Sequence, residues 1–343
     1  MNERKTTNIL LLIITLPIVF YILKTLSFIF VPLIFSMFIA LLFLPLMRWL
    51  KKKKVPKVVS VFIVIFIIGG VLRIGGKLIQ LSSQEIVSTK NIFFERAATK
   101  IEILHNSIID FFGIKYVEGE NVLTHFLQED NIVQNFGTTV DFISDTITMT
   151  LMTAFFVVLW LGESINFQNV LNNTILKQKH ASVKAFIKIE KDLIKFIKVK
   201  FVVSLFTGIG ISLACYFFDV SFPIFWGLFA FAINFIQMIG SFVSVILLAL
   251  FAFVDLELTS ILFFFILSIT LVQVLFGGIL EPIFMGKSFS INIITILVML
   301  MFWGYIWGVP GMIMSIPITV FLKIILEQFP TTKSVARIMS GTN

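Results

Sequence analysis

Hydrophobic residues in this chain fall into eight long runs without a charged side chain: 9–23, 25–47, 58–72, 146–162, 201–218, 220–254, 258–280 and 288–322. A helix that crosses the roughly 30 Å hydrocarbon core of a bilayer needs about 20 such residues. Lysines and arginines beside the shorter runs can snorkel to the interface. The runs are apolar on every side, whereas the strands of outer-membrane barrels alternate apolar and polar residues. The pattern therefore predicts an all-α integral membrane protein.

Composition leads to the same prediction. Of the 343 residues, 58% are hydrophobic and 13% are charged, whereas soluble domains carry about 25% charged residues. Lipid must therefore cover much of the exterior. The first run follows Arg4 and Lys5 and lacks a small-residue cleavage site, so we interpret it as a retained anchor. We expect a multi-pass protein of a bacterial cytoplasmic (inner) membrane.

The distribution of charge predicts the orientation. Residues 48–57 carry six basic side chains and no acid, and residues 163–200 carry eight lysines against three acids. Residues 81–145 carry ten acids and four basic side chains. Because basic loops stay inside, we expect 48–57, 163–200 and both termini to be cytoplasmic, and 81–145 to be outside.

Two runs are too long for a single span. Residues 220–254 and 288–322 each contain 35 residues without a charge, and a straight helix of that length would extend about 52 Å. Each run is interrupted near its middle, the first around Asn234–Ser241 and the second around Gly304–Gly311. Broken helices occur at membrane depth where they are buried or line a cavity. We favour about six full transmembrane helices plus two re-entrant hairpins that enter from opposite faces; the alternative is eight transmembrane helices, two of them kinked.

These patterns predict five parts. Residues 1–80 hold transmembrane helices 1–3, 81–145 form an extracytoplasmic helical segment, 146–200 hold the fourth transmembrane helix and a basic cytoplasmic amphipathic helix, 201–326 form the transport core with its two broken helices, and 327–343 form a cytoplasmic tail.

The basic amphipathic helix carries five lysines on one face. They are Lys184, Lys188, Lys191, Lys195 and Lys198, and their spacing alternates between four and three residues. We expect this face to lie against anionic lipid, which attracts lysines near the membrane surface. A regulatory or solute-gating role is the alternative.

A resemblance to a known family rests on the C-terminal half. The stretch from Gly277 through Glu281-Pro282 to Gly286, followed by Trp303-Gly304, Trp307-Gly308, Pro310-Gly311 and Pro317, resembles the autoinducer-2 exporter family of bacterial membrane proteins. The segment from Asn234 to Gly240 is similar to another motif of that family, which usually has proline where this chain has Gln237. The resemblance implies export of the quorum signal autoinducer-2. Sodium–proton exchange has been associated with other members.

Candidate solute contacts lie at the two interruptions. Asn234, Gln237, Gly240, Ser241, Gly304 and Gly308 are the candidates there, together with Glu281 at the end of an uncharged run. Interhelical hydrogen bonding is the alternative for the amides and Ser241. Glu281 is also the candidate for ion coupling, and the alternative is a solvated helix end paired with Lys287. Pro282, Gly286, Pro310, Gly311 and Pro317 are expected to shape the backbone, which is also the alternative role for Gly304 and Gly308.

These observations lead to three hypotheses. The first is a secondary transporter that exports a small polar solute by alternating access. The second is a sodium (cation)/proton antiporter that uses Glu281. The third is a non-transporting membrane scaffold whose external segment binds envelope partners.

No catalytic or phosphate-binding motif is present, and the three histidines are far apart. We therefore expect no enzyme activity, no cofactor and no metal site. The expected partners are the lipid bilayer, a small polar solute and Na⁺ or H⁺. We expect no nucleic-acid partner, and a large lipid-exposed surface is compatible with a homo-oligomer.

Overall fold

The structure is a computed structural model that describes residues 3–112, 148–162, 183–256, 260–286, 291–328 and 332–340. Within these ranges the regular elements are helices and no strand occurs, which confirms the all-α prediction. By length and composition, five helical segments are long and apolar enough to cross a membrane: Ser27–Lys52, Lys57–Ser88, Glu190–Phe217, Ser260–Met285 and Ile293–Glu327, the last of which is broken at Gly308. The orientation of the termini stays a prediction.

The helices in chain order are α1 Glu3–Thr25, α2 Ser27–Lys52, α3 Lys57–Phe112, α4 Thr148–Gly162, α5 Val183–Phe217, α6 Pro223–Ile233, α7 Ile239–Asp255, α8 Ser260–Met285, α9 Ile293–Gln328 and α10 Lys333–Ser340. Helix α8 becomes π-helical over Val274–Leu280. Helix α3 passes residue 80 without a break. The part of the predicted external segment beyond residue 112 lies outside the described residues.

The chain divides into two compact units. One consists of Met1–Ile68, Ile147–Val199 and Met285–Asn343, and the other consists of Gly69–Thr146 and Lys200–Phe284. We call them the first and the second unit. Each has its own apolar core: Phe38, Phe196 and Met314 pack together in the first, and Cys215 and Phe265 lie in the core of the second.

In the second unit, α6 and α7 form an antiparallel pair that we call the first hairpin. The ring of Trp226 near the start of α6 packs on Phe251 near the end of α7, with the ring centroids 5.1 Å apart. Residues 234–238 form the tip, where Met238 has a φ of 62°. The predicted interruption of the run 220–254 is confirmed, and its two halves lie side by side as in the favoured hairpin.

Polar contacts hold the base of the first hairpin together. The backbone N–H of Ser221, before α6, donates a hydrogen bond to Oδ2 of Asp255, the last residue of α7 (2.6 Å). Helix α3 adds the Arg96 guanidinium, 3.0 Å from Asp255 Oδ1, and Lys100, whose Nζ donates to the carbonyl of Leu256 (2.7 Å). The base therefore lies beside the first part of the segment 81–145, which is the arrangement predicted for a re-entrant hairpin.

In the first unit, α9 also reverses direction, and we call it the second hairpin. Gly308 breaks the helix with φ 63° and ψ −143°. A Cβ at Gly304 would lie 2.9 Å from Cγ of Met312, and a Cβ at Gly311 would overlap the carbonyl group of Trp303. Residues eight apart in a straight helix are separated by about 12 Å, so these contacts require that the chain folds back. The entry of the two hairpins from opposite faces stays a prediction.

Replacing Gly311 with alanine should prevent the second hairpin from closing. The new methyl group would collide with backbone atoms of Trp303, which cannot rotate away as a side chain can. We expect Gly311→Ala to lower the free energy of unfolding by about 3 kcal/mol, the upper part of the range for overpacked sites. The midpoint of thermal unfolding in detergent measures this.

Gly70→Ala is the matched control, because beyond the adjacent residues and the nearby backbone of α3 no described residue has an atom within 4 Å of a Cβ at this helical glycine. We expect its unfolding midpoint to stay at or above that of the native chain, since alanine favours helix over glycine. Equal midpoints for the two variants would contradict the close approach at Gly311.

Candidate functional site

A buried ion pair lies in the second unit. Lys200 of α5 and Glu281 of α8 are 3% and 4% exposed. Nζ of Lys200 lies 2.9 Å from Oε1 and 3.0 Å from Oε2 of Glu281. Both residues belong to helices long and apolar enough to cross the membrane. A buried charge in such a place is costly unless it is paired, so each residue depends on the other.

The tip of the first hairpin completes this pair. Gln237 accepts a hydrogen bond from Lys200 Nζ through its Oε1, at 3.0 Å. The ammonium group has three donors, and two carboxylate oxygens and one amide oxygen surround it. The tip of the hairpin is thereby joined to two membrane-crossing helices through one nitrogen atom.

A second set of polar side chains adjoins the tip. Asn234 is buried, and its Nδ2 donates to Ser204 Oγ at 3.0 Å. The hydroxyl of Ser241 donates to Asn234 Oδ1 at 3.3 Å. Ser204 lies one helical turn after Lys200 on α5. Two hydrogen bonds therefore join α5 to the tip: the charged one from Lys200 to Gln237, and the neutral one between Asn234 and Ser204.

Gln273 of α8 extends this network. Its Nε2 donates to Ser244 Oγ at 2.7 Å, and the Ser244 hydroxyl donates to the carbonyl oxygen of Ser241 at 3.0 Å. The π-helical stretch Val274–Leu280 separates Gln273 from Glu281. Such stretches are rare within α-helices and are frequent at functional sites.

Glycines bring these elements close together. A Cβ at Gly208 of α5 would lie 2.7 Å from the carbonyl oxygen of Gly227 of α6. At the start of α7, a Cβ at Gly240 would overlap the carbonyl of Ile233. Small residues of this kind let helix backbones approach closely in membranes, which is what allows Ser204 to reach Asn234.

The structure brings together five of the predicted solute contacts. Asn234, Gln237, Gly240, Ser241 and Glu281 all belong to the first hairpin or to α8, within the second unit. Glu281 is buried and contacts Lys200. Lys287, the partner considered in the alternative interpretation, lies outside the described residues.

The other predicted residues are placed elsewhere. Gly304, Gly308, Pro310, Gly311 and Pro317 belong to the second hairpin, in the first unit. Pro282 follows Glu281 and is exposed. Gly286 has a φ of 62°, and Lys195 Nζ lies 3.4 Å from the position of its Cβ.

The lysine face of α5 is partly described. Lys191 and Lys198 are exposed and Lys195 is half-buried. The side chains of Lys184 and Lys188 lie outside the described residues. Contact of this face with lipid stays a prediction.

Sequence reasoning missed four residues of this network, namely Lys200, Ser204, Ser244 and Gln273. In the sequence, Lys200 is the last of the eight lysines in residues 163–200, which are predicted to be cytoplasmic. Helical geometry contains a signal that could have identified it, because at 100° per residue Lys200 points about 200° away from Lys198. It therefore departs from the lysine face and points to the opposite side of α5.

A metal site among the described residues would need several ligand side chains close together. No group of three or more histidine, cysteine, aspartate or glutamate side chains in those ranges is placed to hold a metal ion. The site consists of one ion pair, Lys200 and Glu281, whose charges neutralise each other, and of several amide and hydroxyl groups beside it.

Comparisons with known proteins show which family the chain resembles. The profile of the family described as "AI-2E family transporter" matches residues 9–331. The "AI-2 transport protein TqsA" of Escherichia coli K12 is 27% identical over 350 residues, which cover 98% of each chain. A putative transport protein of Borreliella burgdorferi is 27% identical over 318 residues, with 92% of this chain and 85% of that protein covered. A putative transport protein of Haemophilus influenzae is 25% identical over 311 residues.

Removing one member of the buried ion pair should destabilise the fold more than removing both charges. Lys200→Met leaves Glu281 buried without its counter-charge, so we expect a loss of about 3–5 kcal/mol in the free energy of unfolding. Lys200→Met combined with Glu281→Gln should recover most of that loss. Thermal unfolding in lipid nanodiscs measures the difference, with Lys198→Met on the exposed side of α5 as the control. A double variant as unstable as the single one would contradict the pairing.

Proposed function

This chain belongs to the family of AI-2E transporters, and from that premise we propose that it is a secondary transporter that exports a small polar solute. Autoinducer-2 is the candidate solute. The relative from Escherichia coli is named for AI-2 transport, and the family match extends over residues 9–331. Autoinducer-2 is small, rich in hydroxyl groups and uncharged apart from borate adducts. The amides and hydroxyls around the first hairpin tip suit such a solute.

The observation that carries this proposal is the contact of the hairpin tip with a buried ion pair. Ionisable side chains within membrane-crossing helices are costly and are typical of transport pathways. Lys200 and Glu281 are both buried, and Gln237 of the tip completes the coordination of the ammonium. A bundle that served only as an anchor would not need a helix broken at membrane depth beside a pair of charges.

In the proposed cycle, the tip of the first hairpin is the element that responds to solute. Gln237 exchanges its hydrogen bond with Lys200 for one with the solute, while Asn234 and Ser241 supply neutral donors and acceptors. Loss of that bond weakens the connection between the tip and helices α5 and α8. Alternating access then follows from the movement of helices around the site, as in other transporters with broken helices.

Flux of autoinducer-2 in sealed inside-out vesicles tests this function. An exporter should accumulate the solute in such vesicles with saturable kinetics. We expect Glu281→Gln and Gln237→Ala to lower the initial rate at least tenfold, because the first removes the counter-charge of Lys200 and the second removes a hydrogen-bond acceptor of Lys200. Lys198→Gln, which changes an exposed lysine on the same helix, should leave the rate unchanged.

A scaffold would give a different outcome. Native vesicles would then show no saturable uptake, and Gln237→Ala and Gly304→Ala would leave every measured property except stability unchanged. If the native chain takes up the solute and neither Glu281→Gln nor Gln237→Ala reduces the rate, the chain is a transporter but this site does not take part in transport.

Cation/proton antiport is a second candidate, favoured by the chemistry of Glu281. Its two oxygens are both engaged by the ammonium of Lys200. A bound proton or Na⁺ would neutralise the same carboxylate and release Lys200. One carboxylate could thus alternate between an internal cation and a transported one.

Sodium-dependent proton movement distinguishes this candidate from solute export. If the chain is an antiporter, adding NaCl to acidified inside-out vesicles should dissipate the pH gradient, as reported by a pH-sensitive dye. Glu281→Gln should abolish this response because an amide cannot exchange a proton for Na⁺. A response that Glu281→Gln retains would rule out this role for the carboxylate.

A further inference from the structure

The orientation of the Gln273 amide agrees with the hydrogen bonds of its neighbours. Ser244 donates its single hydroxyl proton to the carbonyl oxygen of Ser241, at 3.0 Å. Its oxygen can therefore only accept a hydrogen bond from Gln273, and the nitrogen of the Gln273 amide lies 2.7 Å away. Reversing the amide would require the Ser244 hydroxyl to give up its bond to the Ser241 carbonyl in order to donate to Oε1. In the arrangement that keeps both bonds, Oε1 of Gln273 points away from Ser244.

This oxygen is buried and has no donor within the described part of the chain. Gln273 is 5% exposed, and its Oε1 makes no hydrogen bond there. A buried acceptor left in this state costs about 1–3 kcal/mol, and the large majority of buried side-chain polar atoms in proteins have a partner. The geometry therefore calls for a donor that the described residues do not supply.

A second acceptor faces the same space. The hydroxyl proton of Ser241 goes to Asn234 Oδ1, so lone pairs of its oxygen are available. Ser241 Oγ lies 3.3 Å and Gln273 Oε1 lies 3.7 Å from the position that a Cβ of Gly277 would occupy. Because residue 277 is glycine, the space between these two oxygens is not filled by a side chain of α8.

We propose that Gln273, Ser241 and Gly277 form a subsite that accepts a hydroxyl group of the transported solute. The subsite has two acceptor oxygens, and the protons nearest to them are already committed to other partners. It therefore selects a hydrogen-bond donor. The assignment rests on the proposed function, since it places part of the solute beside the first hairpin. The subsite and the ion-pair site share structural elements, because Gln273 precedes Glu281 on α8 and Ser241 follows the tip residue Gln237 in the first hairpin.

Two probes measure the preference for a hydroxyl donor. They are autoinducer-2 and an analogue in which one hydroxyl is replaced by hydrogen, with each hydroxyl position examined in turn. Binding is measured by titration calorimetry on the full chain in nanodiscs, and flux is measured in inside-out vesicles. At one position we expect the native chain to bind autoinducer-2 about three- to tenfold more tightly than the analogue, as one hydrogen bond would give.

The variants identify which residues recognise that hydroxyl. Gln273→Leu removes the acceptor and Gly277→Ala fills the space, so both should abolish the preference between the two probes. Gly278→Ala is the matched control, because a Cβ there would meet its nearest neighbour, Cγ1 of Val274, at an ordinary distance of 3.9 Å. It should retain the preference. Gly277→Ala also covers the possibility that Gln273→Leu fails to fold.

The outcomes separate this subsite from the proposed function. If saturable flux persists and the preference is unchanged in Gln273→Leu and Gly277→Ala, the subsite is wrong and the transport proposal stands. If flux is absent but folded protein binds with a preference that Gln273→Leu removes, the transport proposal is wrong and the subsite recognises a hydroxyl of a bound ligand that is not transported. If neither probe binds the folded native chain, both the subsite and the transport of autoinducer-2 are contradicted. Equal binding of all probes to all variants would mean that the space holds a structural water only.

Discussion

The bilayer core provides no water to a broken backbone or a buried charge, so a polar group at that depth needs a partner within the protein. The ammonium of Lys200 meets this requirement most completely, because three oxygens from α8 and the hairpin tip surround it. The close approach of Gly208 to Gly227 and the bond between Asn234 and Ser204 hold the same elements together. The position of the first hairpin depends on this set of contacts.

The sequence predicted the features that depend on length and on backbone chemistry. Two runs of 35 residues with glycine at their centres could not be straight spans, and both reverse direction in the structure. Glu281 stood out because it ends an uncharged run. The partner of Glu281 could not be predicted in the same way, because Lys200 follows seven other lysines between residues 163 and 200. Gln273 was missed because a neutral amide inside an apolar run has no periodic signal of its own, and its role depends on which helix it faces.

The neutrality of the ion pair matters for any movement of the elements that carry it. Lys200 and Glu281 together carry no net charge, so shifting them within the membrane costs far less than shifting a single ion. Binding of a cation at Glu281 would neutralise the carboxylate, so the positive charge of Lys200 would no longer be compensated by Glu281. The same pair therefore accommodates both candidate functions: solute export can leave the pair intact, whereas antiport must open it. The neutral network of Asn234, Ser241, Ser244 and Gln273 is independent of that difference.

The first hairpin also constrains how the chain enters the membrane during synthesis. Its limbs contain 11 and 17 residues, or about 16 and 26 Å at 1.5 Å per residue, so neither spans a hydrocarbon core of about 30 Å. Its tip carries Asn234 and Gln237, whose partners lie on α5 and at the end of α8. The ribosome makes helix α5 before the first hairpin, whereas Glu281 is made after the hairpin. The tip can therefore reach its final hydrogen bonding only after α8 has been made, so the insertion of this region depends on several helices together rather than on each helix in turn.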